Sequence, residues 1–88
     1  DISLNTVAER LRMNPSYISR LFKEKVGVSF IEYLTNARIE KSKSMLLNTN
    51  MKVEEVGKEL GYSNSYYYIK LFKDYTGITP GDYRRIHT

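Results

Sequence analysis

Cysteine and tryptophan are absent from the 88 residues, histidine occurs once as His87, and proline occurs twice. Without cysteine there is no disulfide framework, no thiolate zinc site and no thiol nucleophile. A single histidine beside the chain end has no companion ligand for zinc and no partner with which to form a nucleophile–base pair. No glycine-rich phosphate loop occurs. With no catalytic constellation, an enzyme is the weakest functional class, and no metal or other cofactor is expected. No stretch approaches the roughly 20 apolar residues of a membrane span, and no charged-then-apolar leader opens the chain, so no membrane partner is expected. The first residue is Asp1 rather than Met, which suggests a piece of a longer protein.

What is present is an ordinary globular composition, 41% hydrophobic and 27% charged. A chain of this length buries only small cores around short elements. The net charge of +4 favours a polyanionic partner, although the placement of the cations carries more information than their sum.

The sequence repeats itself. Leu4 to Leu11 falls on Val53 to Leu60 at an offset of 49. Leu21-Phe22-Lys23-Glu24 falls on Leu71-Phe72-Lys73-Asp74 at an offset of 50. Gly27 then matches Gly77, Val28 matches Ile78, Ser29 matches Thr79 and Tyr33 matches Tyr83. The second copy carries one extra residue in the turn between its helices.

Helical periodicity and capping residues place the elements. Ser3 is a suitable N-cap for a helix over about 4–12, with Leu4, Val7, Ala8 and Leu11 on one face. Asn14-Pro15 opens a helix over about 15–26, with Ile18, Leu21 and Phe22 inward and Gly27 at its end. Ser29-x-x-Glu32 forms a capping box at the start of a connecting helix over about 30–47. In the second copy, a helix over about 53–60 turns Val53, Val56 and Leu60 inward and stops at Gly61. Ser63 is taken as the cap of a helix over about 64–76, with Tyr68, Leu71, Phe72 and Tyr75 inward and Gly77 at its end. Thr79-Pro80 with Asp82 opens a last short helix. The run Tyr66-Tyr67-Tyr68-Ile69 has strand propensity, but it sits between a cap and helically spaced Leu71 and Phe72. The expected fold is all-α: a first helix-turn-helix unit over about 3–33, a connecting helix and a second unit over about 52–86.

In such a pair the first helix crosses closely over the second, and Ala8 and Gly57 occupy the crossing position in the two copies. Glycine in mid-helix costs ~1 kcal/mol relative to alanine, and a close approach would account for it. The outward face of the helix over about 15–26 carries Ser16, Ser19, Arg20 and Lys23, with Glu24 off the stripe. The matching face carries Ser65, Tyr66, Ile69, Lys70 and Lys73. Arginine and lysine read guanine O6 and N7, apolar groups meet the thymine methyl, and Ser and Tyr hold bases or phosphates. One such face alone is equally a solvated surface, but its repetition in a second copy points to double-stranded DNA.

The segment Gly61-Tyr62-Ser63-Asn64-Ser65-Tyr66-Tyr67-Tyr68-Ile69-Lys70-Leu71-Phe72-Lys73, followed by Gly77-Ile78-Thr79-Pro80-x-x-Tyr83-Arg84, resembles the AraC/XylS family of bacterial transcription regulators. The first copy and Arg38-Ile39 resemble it as well. The resemblance implies two tandem helix-turn-helix units whose reading helices enter successive major-groove segments. By position it assigns base contacts to Ser16, Ser19, Arg20, Ser65, Tyr66, Ile69 and Lys70, with Arg20 foremost. Phosphate contacts go to Asn14, Lys23, Ser63, Asn64, Lys73, Arg84 and Arg85. It also implies a cytoplasmic bacterial regulator whose parent chain carries a sensing or receiver domain and meets RNA polymerase. The segment itself is expected to be monomeric, because it already holds both reading heads. Three departures stand out: the family usually has a further helix ahead of residue 1, Tyr66 replaces a commonly small polar residue, and Ser42 replaces a common alanine. A connector of about 18 residues rises ~27 Å, against ~34 Å between half-sites one DNA turn apart. Simultaneous docking is therefore expected, with bending of the DNA.

The competing reading is a helical module that docks a protein. A docking groove should expose Leu, Met or Phe, whereas the outward faces here are cationic and polar. Tyr33, Tyr62, Tyr68, Tyr75 and Tyr83 are expected in the core with their hydroxyls at the surface, and Tyr17 and Tyr67 beside the reading helices. Arg38 suits a phosphate or a structural ion pair. Lys41 and Lys43 face solvent, and Glu54-Glu55 are helix-start charges favoured by the dipole.

Overall fold

The computed structural model describes residues 3–88. Six helices follow in order: α1 (Leu4–Leu11), α2 (Pro15–Val26), α3 (Phe30–Asn48), α4 (Val53–Glu59), α5 (Ser65–Thr76) and α6 (Pro80–Ile86). There is no strand among the described residues. The chain divides into two compact units, Asp1–Thr35 and Asn36–Thr88, with α3 running through the boundary.

In the first unit, Ser3 caps α1 by accepting from the Thr6 amide at 3.1 Å. The helix ends where Arg12 adopts the left-handed conformation, φ 55° and ψ 43°. The Arg12 and Met13 amides then donate to the Glu9 and Ala8 carbonyls at 3.2 and 2.9 Å, satisfying groups the helix leaves open. The second unit ends α4 the same way, with Gly61 at φ 99° and the Gly61 and Tyr62 amides donating to the Lys58 and Gly57 carbonyls. The two turns are therefore one device, built with glycine once and arginine once. A side chain in this region costs roughly 1–2 kcal/mol, so Arg12→Gly is expected to raise the stability of the first unit by about 0.5–1 kcal/mol after the loss of unfolded-state restriction. Thermal unfolding checks this, and a lower melting temperature would show that the Arg12 side chain contributes more than its backbone conformation costs.

Asn14 caps α2 through its Oδ1, which accepts from the Ser16 amide at 2.8 Å, and Pro15 follows at the first helical position. Ala8 and Ile18 are the buried apolar residues of this unit. The Phe22 ring meets Phe30 edge-on at 5.3 Å and Tyr33 at 5.4 Å. At the start of α3 the Ser29 Oγ accepts from the Glu32 amide at 3.1 Å, the expected cap. Three inward placements expected from periodicity, Leu11, Leu21 and Tyr33, do not hold here. Leu11 is 58% exposed and Tyr33 53% exposed. A unit of two short helices and the start of a third has too little interior to cover a full apolar face, so the Tyr33 ring is covered only in part. Leu21 also lies at the surface.

The second unit has the larger core. Ile39 and Leu46 of α3, Val56 and Leu60 from the α4 region, Tyr62, and Tyr68 and Phe72 of α5 form one buried cluster. Burying each large side chain contributes roughly 1.5–3 kcal/mol. The Tyr68 hydroxyl donates to Ser42 Oγ at 2.8 Å inside this core. Ser42 is thus more than a packing change: it satisfies a buried phenol that alanine would leave unpaired. Burial pushes the Tyr68 phenol up from its ordinary value. Arg84 joins α6 to α3, its Nε donating to the Leu46 carbonyl at 2.9 Å. One end of the core is sealed by the Arg38 guanidinium, 5.6 Å above the Tyr62 ring. Tyr75, expected inward, is 43% exposed, because it lies one turn past Phe72 at the end of α5, beyond the cluster. α6 opens as expected, the Thr79 Oγ1 accepting from the Asp82 amide at 3.2 Å with Pro80 next.

Candidate nucleic-acid interface

The cap of α5 differs from the expectation. Asn64, not Ser63, is the N-cap, its Oδ1 accepting from the Tyr66 amide at 2.9 Å. Ser63 is the extra residue of the second turn, and beyond it the register moves to offset 50, which sets Asn64 on Asn14. The repeat thus contained the correct cap, and proximity to the helix start misassigned it.

With both caps fixed, the two faces correspond position by position. On α2, Ser16 and Arg20 are exposed and Ser19 half-buried. On α5, Tyr66 and Lys70 are exposed and Ile69 half-buried at the same three positions. Lys23 and Lys73 extend the stripe one turn further and are both exposed. Each face lies opposite the residue that meets the crossing helix, Ile18 or Tyr68, both buried. The helix pair therefore turns its crossing contact inward and leaves one stripe free.

The close crossing is explicit in the second unit. A Cβ on Gly57 would lie 2.9 Å from Tyr68 Cδ2 and 3.1 Å from Cγ. Real Cβ atoms do not approach this closely, so α4 reaches α5 only because residue 57 lacks a side chain. In the first unit the corresponding pair is Ala8 with Ile18. The smaller residue on one helix goes with the bulkier one on the other.

The charged groups differ between the copies. Lys70 Nζ donates to Asp74 Oδ2 at 2.9 Å, one turn along α5, and this hydrogen bond holds the Lys70 ammonium above its usual value. The matching residues Arg20 and Glu24 form no such pair. Of the remaining expected contacts, Asn14 and Asn64 spend their side-chain oxygens on caps. Ser63 is exposed in its turn and Ser65 is half-buried at the first position of α5. Arg85 pairs with Asp82 at 3.2 Å on the exposed side of α6. Arg84 is held by the Leu46 carbonyl and, at 3.4 Å, by Thr49 O, so its guanidinium serves the end of α3. No spacing rule would have found that bond, since its partners lie 38 residues apart.

Among the described residues no group of His, Asp and Glu side chains could hold a metal, and none of their helices is long and apolar enough to cross a membrane.

The chain is similar to known proteins over nearly all its length. A helix-turn-helix domain family model matches residues 7–86. The arabinose operon regulatory protein of Escherichia coli is 30% identical over 84 residues, which cover 96% of this chain. The chain belongs to the AraC-type helix-turn-helix family. Another relative, the Bacillus subtilis HTH-type transcriptional regulator YtdP, is 42% identical over 85 residues, which cover 97% of this chain. The C-terminal domain of AraT, a response regulator from Geobacillus stearothermophilus, superposes with a TM-score of 0.92 at 40% identity, covering 98% of this chain and 71% of that one. The chain spans only 11% of YtdP and 29% of the arabinose regulator. In this AraC-type domain Tyr17 and Tyr67, equivalent residues expected to pack beside the reading helices, flank the two stripes and stand about half in solvent, with the Tyr67 ring 5.9 Å from that of Tyr62.

Proposed function

We propose that this domain binds double-stranded DNA sequence-specifically and thereby regulates bacterial transcription, with α2 and α5 as its two major-groove reading helices. The observation that carries the reading is the repeated stripe: residues 16, 19, 20 and 23 on α2 and 66, 69, 70 and 73 on α5, at equivalent positions on helices whose opposite sides are buried. Ser16, Ser19, Arg20, Ser65, Tyr66, Ile69 and Lys70 meet base edges. Lys23 and Lys73 meet phosphates, Ser63 and Arg85 serve the backbone near the second head, and the caps at Asn14 and Asn64 present helix-start amides to it. Arg84, committed to α3, holds α6 in place beside these groups.

The domain acts in the cytoplasm as the output end of a longer regulator. That role is supported by its small share of its relatives' lengths and by its likeness to the C-terminal domain of a response regulator. A sensing or receiver domain in the same chain controls it, and the parent protein contacts RNA polymerase.

Selection from random duplex DNA, followed by titration of the winner at several salt concentrations, tests the reading. The expected result is a motif of two short blocks together with a steep linear fall of log affinity with log salt. A salt-sensitive interaction without a motif would reduce the function to nonspecific binding. No binding at low salt would favour the protein-docking alternative.

A further inference from the structure

The equivalent positions of the two stripes carry different chemistry. Positions 16, 19 and 20 are Ser, Ser and Arg, and positions 66, 69 and 70 are Tyr, Ile and Lys. At these three positions α2 carries two hydroxyls and one guanidinium that forms no ion pair among the described residues. On α5 the cation is already engaged by Asp74 at 2.9 Å, and two of the three side chains are largely apolar.

Tyr66 is 82% exposed. It stands in the first turn of α5, its amide tied to the Asn64 cap at 2.9 Å. Ile69 lies three residues on and so on the same side of the helix. It packs in part against the buried cluster, which fixes its orientation, and leaves its remaining surface outward. An aromatic side chain held out in water beside a fixed β-branched one forms a small apolar step within a polar stripe. In the major groove only one base edge offers an apolar group, the C5 methyl of thymine.

Resting on the DNA-binding reading above, we infer that the two heads require chemically different half-sites: α2 a block containing guanine met by Arg20, and α5 a block containing thymine whose methyl groups are met by Tyr66 and Ile69. The bound DNA site is therefore polar, and its two blocks are not interchangeable. Because the step is continuous with the reading stripe of α5, its occupant is DNA rather than a protein.

Deoxyuridine in place of thymine removes only the methyl group, and 7-deazaguanine removes only the N7 acceptor. Each replacement is made separately in either block of the selected duplex, and affinity is measured with the unmodified chain and with Tyr66→Ser and Tyr66→Phe. Tyr66 is exposed, so both variants should fold, which circular dichroism verifies. Deoxyuridine in one block should weaken binding about fourfold per contacted methyl, the equivalent of ~0.8 kcal/mol. Tyr66→Ser should reduce that sensitivity and Tyr66→Phe should retain it. Replacement of guanine in the other block should weaken binding by an amount that Tyr66→Ser leaves unchanged. A two-block motif that tolerates deoxyuridine everywhere would overturn the inference and leave the DNA-binding reading standing. The same holds if Tyr66→Phe behaves like Tyr66→Ser, which would make the hydroxyl a polar contact. Absence of any motif would overturn both.

Discussion

Gly57→Leu is expected to destabilise the second unit by about 3 kcal/mol or more, enough to remove cooperative unfolding from a small core of marginal stability. The size of the effect follows from what surrounds the missing Cβ. That atom would already sit 2.9 Å from Tyr68 Cδ2, and leucine adds three more carbons beyond it. Tyr68 has no room to retreat. Its ring is fully buried, lies 6.0 Å from the Tyr62 ring and 6.1 Å from Phe72, and is anchored by the bond from its hydroxyl to Ser42. Relief therefore requires α4 to move off α5, exposing Val56 and Leu60. Gly57→Ala gives the finer test, because alanine gains about 1 kcal/mol in helix propensity while the overpacking costs about 1–3 kcal/mol. A net loss of about 1 kcal/mol is expected, opposite in sign to the effect of the same change in an open helix. Lys58→Leu, at the exposed neighbouring position, is the control and should shift stability by no more than about 0.5 kcal/mol. Urea unfolding monitored by circular dichroism distinguishes these outcomes. Unchanged stability of Gly57→Leu would mean that the two helices do not cross as closely as described.

Gly57 also shows what kind of information the sequence held. A glycine in a helical pattern is locally unfavourable, and its placement opposite a repeat-equivalent alanine identified the crossing point before any distance was known. The helix starts and stops were similarly legible apart from the cap of α5, assigned to Ser63 and found at Asn64, because caps and left-handed terminators act through their immediate neighbours. What periodicity could not supply was the depth of each core. Leu11, Tyr33 and Tyr75 lie on the correct helical faces yet remain substantially exposed, since a face indicates direction and not whether a partner is present to cover it. Side chains that act across long separations were hidden too. Arg84 had the composition of a phosphate-binding residue, and only the folded chain shows its guanidinium capping the end of α3. The reading stripes were visible as sequence because each lies on a single helix. The Lys70–Asp74 pair, also on one helix, distinguishes the two heads.

Arg20→Ala is expected to weaken binding to the selected site about 5- to 150-fold, or about 1–3 kcal/mol, and to relax preference at one base pair. Arg20 differs from Lys70, the cation at the equivalent position of the other stripe, in what it must give up. Lys70 has to leave Asp74 before it can contact DNA, whereas the Arg20 guanidinium is exposed and without an ion pair in the described residues. Its planar fork can also engage guanine O6 and N7 together, which an ammonium cannot reproduce. Arg20→Lys should therefore recover overall affinity at low salt while recovering little of the base preference. Lys23→Ala, one turn along the same face, should instead weaken all sequences about equally and reduce the salt slope by about 1. Binding measured on the selected duplex and on single-base variants of it separates the two patterns. If Arg20→Ala lowers affinity equally on every duplex and changes the salt slope as Lys23→Ala does, Arg20 is a phosphate contact and base discrimination by α2 falls to Ser16 and Ser19.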